Sequence, residues 1–331
     1  MIKKVHASYF KSIKAQTLED LTPIVGIWGR NGSGKSSLFE AIVWVLKNAG
    51  QGDINGISLG EPENFIFGHT TSNRCNVEVG LSDGREFFMC IGGGGREVAQ
   101  VHPGREEKIR YFPPWRHISG RSSTIADKIT SDLGIAGPKM HTFMHHYLHQ
   151  LIGRIQRGDD EAQKNYGKIN GWAEKIGFGP LLDYQQSPHL VTGTYRDKIL
   201  DLEVPIFDGG YGGNSFLPIL LEGYSFTDGT MLIAEPEISL HPAAQSEVLD
   251  FFVEMATERH HQIIFTSHSE YMVKRIARLL KGGEVDSDLI SVYVAKKEDE
   301  DGTIFEKKDN RDLVSRFEQK QDIILELTKR N

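Results

Sequence analysis

Ile24-Val25-Gly26-Ile27-Trp28-Gly29-Arg30-Asn31-Gly32-Ser33-Gly34-Lys35-Ser36-Ser37-Leu38-Phe39 is the stretch that decides the fold. Its first five residues form a short apolar run that fits a buried strand. Leu38, Ile42, Val43, Val45 and Leu46 then recur at helical spacing. Between them, Gly29 to Ser36 satisfies G-x-x-x-x-G-K-S/T with a strand before and a helix after. Glycines let backbone N–H groups curl around a phosphate, and the helix N-terminus adds partial positive charge. Lys35 can reach the β- and γ-phosphates of a nucleotide, and the Ser36 hydroxyl can ligate Mg²⁺. Asn31, Gly32, Ser33, Gly34, Lys35, Ser36 and Ser37 are therefore the candidate nucleotide-binding residues.

Far downstream, Met231-Leu232-Ile233-Ala234 is an apolar strand that ends in Glu235-Pro236-Glu237-Ile238-Ser239-Leu240-His241-Pro242. A carboxylate at the end of a strand near such a loop can hold Mg²⁺ through water, and a further one can orient the attacking water. Exposed acids at an ordinary strand exit are the plain alternative. Ile263-Ile264-Phe265-Thr266-Ser267-His268-Ser269 puts a histidine just past another buried strand, where it can bond a γ-phosphate or the catalytic water. Glu235, Glu237 and His268 are the candidate catalytic residues, and Ser36 with Glu235 the candidate metal ligands.

The rest of the chain organises around these segments. Val5 to Phe10 has strand character, and Cys75 to Leu81, a Ser82-Asp83-Gly84 turn and Arg85 to Ile91 read as a hairpin. Tyr111-Phe112-Pro113-Pro114-Trp115-Arg116 reads as a rigid, proline-fixed connection. Residues 122–185 read as mainly helical and polar. Helices are expected around Gln245–Thr257 and Glu270–Lys281, strands at Ile290–Val294 and Thr303–Phe305, and an amphipathic helix from Leu313 to Leu327. The expected fold class is α/β, with a mixed sheet, a β-rich N-terminal lobe over 1–121, a short helical insertion over 122–205 and a C-terminal lobe over 206–331. The length of 331 residues suffices for a sizeable core. A net charge of −7 excludes coating nucleic acid by bulk charge, though a local basic patch stays open. Cys75 and Cys90 are too few for a disulfide scaffold or a four-thiolate zinc site. No stretch approaches the ~20 apolar residues of a membrane span, and no secretory h-region opens the chain. The expected location is the cytoplasm.

These motifs, in this order, resemble the ABC-type ATPase heads of the SMC, RecF and OLD group. Phe10-Lys11-Ser12-Ile13 and Trp28 to Ala41 look like that group's opening strand and Walker A motif. Glu235-Pro236-Glu237-Ile238-Ser239-Leu240-His241-Pro242 resembles the Walker B and D-loop form of OLD-like ATPases, and His268 the switch histidine. Gly210-Tyr211-Gly212-Gly213-Asn214-Ser215-Phe216 lies where the signature segment lies. The resemblance implies a P-loop NTPase of ABC type that binds ATP and Mg²⁺. It implies two heads sandwiching two ATP molecules, with Gly212, Gly213, Asn214 and Ser215 of one head covering the nucleotide on the other. It further implies a homodimer or higher oligomer that regulates a separate effector, a nuclease or toxin in anti-phage defence. Two departures stand out. Ala234 occupies the position of the usual metal-side acid, so either Glu235 serves the metal and Glu237 the water, or hydrolysis is slow; the signature also lacks its Ser-Gly-Gly-Gln wording. A weakly hydrolysing, nucleotide-sensing scaffold that clamps a partner protein is the first alternative. A RecF-like DNA-binding repair ATPase is the second. No long coiled coil, no Cys-x-x-Cys hook and too little chain after His268 for a Toprim nuclease narrow the group.

Two further patterns lie outside these motifs. His141, His145 and His149 share one helical face, with His146 beside them, and read as a polar face or interface before a metal site. Arg105, Lys108, Arg110, Arg116 and Arg121 flank Tyr111, Phe112 and Trp115. That is the composition of a nucleic-acid contact by phosphate and stacking, or of a solvated loop.

Overall fold

The decisive stretch folds as read, a strand running into a tight turn and then a helix. In chain order the elements are β1 (Ile2–Phe10), β2 (Ile13–Leu18), β3 (Ile24–Gly29), α1 (Lys35–Asn48), β4 (Cys75–Leu81), β5 (Glu86–Gly92), β6 (Gly95–Val101), β7 (Ile109–Phe112) and β8 (Ser123–Thr124). Then come α2 (Met140–Gln156), α3 (Asp160–Lys175), β9 (Leu181–Ser187), β10 (Leu190–Asp197), β11 (Leu202–Pro205) and α4 (Tyr211–Ser225). The last third holds β12 (Thr230–Ala234), α5 (Pro242–Glu258), β13 (Gln262–Ser267), α6 (Glu270–Gly282), β14 (Ile290–Glu298), β15 (Gly302–Lys308) and α7 (Asn310–Glu318). This computed structural model describes residues 1–48, 66–67, 74–92, 95–101, 108–114, 123–124, 140–187, 190–197 and 199–319. The end of the amphipathic helix expected to reach Leu327 lies outside the described residues.

One mixed sheet of eleven strands carries the fold, in the order β6-β5-β4-β1-β2-β15-β14-β3-β13-β12-β7. From β14 to β7 the pairs are parallel, and from β6 to β14 they are antiparallel. In the parallel half β3, β12 and β13 are buried along their whole length, as strands covered on both faces are. Successive side chains alternate between the faces. Ile24, Trp28, Ile233, Phe265 and Val292 pack under α2 to α6, while Val25, Ile27, Leu232, Ile264 and Tyr293 pack on the other face with α1.

Two readings change at this level. Ile109–Phe112 is not a connection but β7, the parallel strand next to β12, and its strand ends where the prolines begin. The 122–205 segment holds α2 and α3 as expected, and also a small antiparallel sheet. There β10 pairs with β9, with β8 at its first residues and with β11 at its last. Trp172 and Lys168 of α3 reach Glu254 of α5, so this segment is tied to α5 by hydrogen bonds as well as by apolar packing.

Candidate functional site

Because β3, β13 and β12 run parallel and side by side, their C-terminal ends open on one edge of the sheet, the usual place for a ligand in an open α/β sheet. The Gly29–Ser36 loop leaves β3 there, His268 leaves β13 and Glu235 leaves β12. The three segments separated in sequence are thus brought together by topology.

The loop is preset by its glycines. Gly32 and Gly34 have φ of +75° and +93°, a region that side chains with a Cβ avoid. Gly34 also has no room, since a Cβ there would sit 2.0 Å from Thr303 Oγ1 and 2.6 Å from Ser12 Oγ. The Thr303 hydroxyl donates to Ser12 Oγ at 2.8 Å, so the start of β15 and the β1–β2 turn form the underside of the loop. Ser37 belongs to that underside: it is buried, with its hydroxyl 3.0 Å from Ser12 Oγ. Asn31, Gly32 and Ser36 lie on the exposed side. Ser33 Oγ is buried without a hydrogen-bond partner, an unsatisfied group inside the curl of the loop. Lys35 is buried and its ammonium donates to the carbonyls of Gly29 at 2.8 Å and Arg30 at 3.1 Å. Burial pushes its pKa down to about 8, against the opposing pull of Glu235 and then Glu237. A buried cation at a helix N-terminus facing two carboxylates, with an unsatisfied hydroxyl beside it, fits a polyphosphate.

The two glutamates diverge. Glu235 is one-third exposed and its Oε1 lies 3.6 Å from His268 Nε2, so these two side chains meet at the open edge. Its φ of +49° is unusual outside glycine, and its N–H donates to Thr266 O at 2.9 Å, prolonging the β12–β13 pairing. Glu237 points inward instead. Its Oε1 accepts from Ser267 Oγ at 2.7 Å and from the His268 N–H at 2.6 Å, and burial pushes its carboxyl up. The acid expected just before Glu235 is Ala234, whose methyl packs in the core on the α1 side. The remaining motif residues are structural. Leu240 is buried, the His241 ring caps α5 by accepting from Ala243 N, and Pro242 is the first helical residue.

The segment read as signature-like is the first turn of α4. Gly212 and Gly213 are half-buried, and a Cβ on either would strike Ser239 O at 2.3 Å or the Phe178 ring at 2.3 Å. Asn214 and Ser215 do not face outward as expected. Asn214 Nδ2 donates to Gly209 O at 2.9 Å, and Ser215 Oγ to Gly212 O at 2.8 Å and Ile238 O at 3.2 Å. What this turn presents to the outside is its glycine backbone and the exposed Tyr211.

The other candidates resolve in structural terms. His145 is fully buried and its Nδ1 accepts from Gly193 N at 2.7 Å, which ties α2 to β10. The His141 side chain lies outside the described residues, and among the described residues no cluster of His, Cys, Asp and Glu could hold a metal. Tyr111 and Phe112 are core residues, and Arg110 pairs with the buried Glu222 and lies over the Phe226 ring, so these three do not form a stacking surface. Arg105, Trp115, Arg116 and Arg121 lie outside the described residues. Sequence reading missed Ser12, Thr303, Gln245, Ser267 and Ser269, which brace the loop and the His268 exit. Only Thr266-Ser267-His268-Ser269 carried a signal, a run of hydroxyls at a strand end.

Among the described residues no helix is long and apolar enough to cross a membrane. A family profile described as "AAA domain" matches residues 4–168, and one described as "AAA ATPase domain" matches residues 121–273. No curated protein matches the chain. Among solved structures, the SMC head domain from Thermotoga maritima is 13% identical, with 93% of this chain and 99% of that chain covered and a TM-score of 0.52. An SMC head bound to the C-terminal winged-helix domain of ScpA is 13% identical over 93% of this chain and 97% of that one, with a TM-score of 0.59. An SMC head with an extended coiled coil, bound to the C-terminal domain of ScpA and derived from Pyrococcus furiosus, is 12% identical over 96% and 98%, with a TM-score of 0.58. At such low identity the likeness speaks for architecture, and it agrees with the sheet order and the loop geometry: the chain has the P-loop NTPase fold of an SMC head.

Proposed function

We propose that this chain is an ABC-type ATPase head that binds ATP and Mg²⁺, closes on a second copy and hydrolyses ATP slowly. The observation that carries the reading is the convergence of the Lys35 loop, Glu235 and His268 at the ends of three adjacent parallel strands. Asn31 to Ser36 would cradle the phosphates, with Ser36 and Glu235 holding the metal. Mg²⁺ would supply charge neutralisation at the β- and γ-phosphates. Glu235 is the one carboxylate of the pair exposed enough to face water, so it carries the catalytic role, and His268 beside it would bond the γ-phosphate or the water. Burial of Ala234 where a second acid would stand supports slow turnover. The α4 first turn of a second copy would cover the nucleotide with its glycine backbone, since Asn214 and Ser215 are engaged within their own chain.

In this reading ATP-driven closure is the output, passed to a separately encoded effector as in OLD-like anti-phage systems. That two SMC heads of this fold carry a bound partner-protein domain supports a head that acts on a partner. The core positions of Tyr111 and Phe112 speak against the DNA-stacking alternative.

The test is ATP hydrolysis and solution mass for wild type, Lys35→Ala and Glu235→Gln, with and without Mg²⁺. Turnover in wild type, none in Lys35→Ala, and an ATP-trapped dimer of Glu235→Gln are expected. Tight ATP binding with no wild-type turnover, and no change of assembly in Glu235→Gln, would overturn the enzyme reading in favour of the static scaffold.

A further inference from the structure

Glu237 is the buried carboxylate that the proposed chemistry leaves unused. It sits two residues beyond an unusual corner: Glu235 has a φ of +49°, and Pro236 fixes the next φ at about −65°. The reach of the Glu237 side chain is therefore preset. It crosses from the exit of β12 to the exit of β13, where a single oxygen, Oε1, takes both the Ser267 hydroxyl proton and the His268 amide proton. Ser267 Oγ in turn accepts from Ser269 N at 2.9 Å. Ser269 caps α6 and donates its own hydroxyl to Gln245 Oε1 at 2.6 Å, and Gln245 Nε2 donates to Leu240 O at 2.9 Å. Leu240 N closes the circuit on Glu237 O at 3.0 Å. His268 thus stands in a two-residue link between a strand and a capped helix, and a chain of hydrogen bonds runs from that link back to Glu237.

We infer that Glu237 is a positioning residue: it latches the β13 exit to the Glu237–Leu240 turn and so holds the His268 ring against Glu235. This inference deepens the ATPase reading and rests on it for its kinetic consequence. The latch needs an acceptor at Oε1, not a charge or a proton acceptor for water. Glutamine supplies the same acceptor in its amide oxygen, and alanine supplies none. Loss of the acceptor leaves the His268 N–H and Ser267 hydroxyl to find other partners, which displaces the ring by a fraction of its contact distance to Glu235. Misplacement on the scale of an ångström costs about 100-fold in rate. The Glu237 carboxylate makes no hydrogen bond to the nucleotide loop, and its pull on the Lys35 ammonium is weaker than that of Glu235, so ATP affinity should change little.

The experiment compares wild type, Glu237→Gln, Glu237→Ala, Ser267→Ala and Glu235→Gln in kcat, ATP Kd and hydrogen exchange at the His268 amide. Glu237→Ala is expected to lower kcat by about 10- to 100-fold with Kd nearly unchanged. Glu237→Gln should keep kcat within a factor of about three, because its amide oxygen accepts both bonds. Ser267→Ala, the milder change, should fall between them. The His268 amide should be protected in wild type and Glu237→Gln, and exchange faster in Glu237→Ala. Glu237→Gln as inactive as Glu235→Gln would overturn the inference, because a base and not a latch would have been removed. So would Glu237→Ala with wild-type kcat. An inactive wild type would sink the ATPase reading alone; the amide exchange would still decide the latch, which fails if Glu237→Ala leaves His268 equally protected.

Discussion

Replacing Arg110 by methionine separates a structural role from a surface one. Arg110 lies on β7 and its guanidinium pairs with Glu222 of α4, whose side chain is 2% exposed. Methionine retains the apolar stem and removes the charge, leaving a carboxylate buried without its cation. Breaking a buried pair from one side costs about 3–5 kcal/mol. The cost must depend on pH, and its sign follows from Glu222. Burial holds that carboxyl above its ordinary value even with Arg110 pulling it down. Without Arg110 it rises further. A carboxyl raised in the folded state binds its proton more tightly there than in the unfolded chain. Its favourable contribution is complete below the unfolded value and is lost as pH rises through the folded one. Each unit by which the substitution raises Glu222 widens the gap between acid and alkaline conditions by about 1.4 kcal/mol. Urea unfolding of wild type and Arg110→Met at pH 5, 6.5 and 8 should therefore show the loss growing from about 1–2 to about 4 kcal/mol. Arg110→Met/Glu222→Leu should recover most of it. A loss that is equal at every pH, or larger at pH 5, would refute the reasoning. Unchanged stability would return Arg110 to the surface role its sequence neighbours suggest.

Other outcomes follow from the same geometry. Gly34→Ala and Gly32→Ala both force a side chain into positive φ at about 1–2 kcal/mol, but only Gly34 adds a collision with Thr303 and Ser12. Gly34→Ala should melt well below Gly32→Ala, and the reverse order would contradict the packing under the loop. Gly212→Ala drives a methyl toward Ser239 O, an overpacking worth about 1–3 kcal/mol, and should lower the midpoint of urea unfolding. Cys75 is fully buried and burial pushes its thiol up to about 12, with Cys90 also buried. A thiol reagent at pH 8 should modify neither in the native protein and both in urea; rapid native labelling would contradict the burial.

What the sequence revealed was the local part. The Gly29–Ser36 loop, the strand before Glu235 and the His268 exit each announce themselves within about ten residues, because strand, turn and helix signals sit side by side. β7 was hidden because its reason for being a strand is β12, more than a hundred residues away, while Pro113 and Pro114 beside it read as a loop. The sheet of β8 to β11 was hidden likewise in a polar segment. The difference between Glu235 and Glu237 was illegible for another reason. Both flank one proline, and only the position of β13 decides which faces solvent and which turns inward. The same holds for Arg110, whose charge reads as a surface group until Glu222 is placed beside it.

The placing of β3 between β13 and β14 bears on how the chain reaches this state. The strand that feeds the nucleotide loop is made early in the chain, yet both its neighbours come more than two hundred residues later. Until they arrive, Ile24 to Gly29 is an unpaired apolar segment with two open edges. Closing so long a loop is a slow, entropy-limited event, and sheets built from distant parallel pairs fold slowly and expose sticky intermediates. The active loop should thus be among the last parts to mature during synthesis, so a nascent chain would bind no nucleotide until its final strands are out. Separately expressed halves would each carry an open sheet edge, and would aggregate unless supplied together.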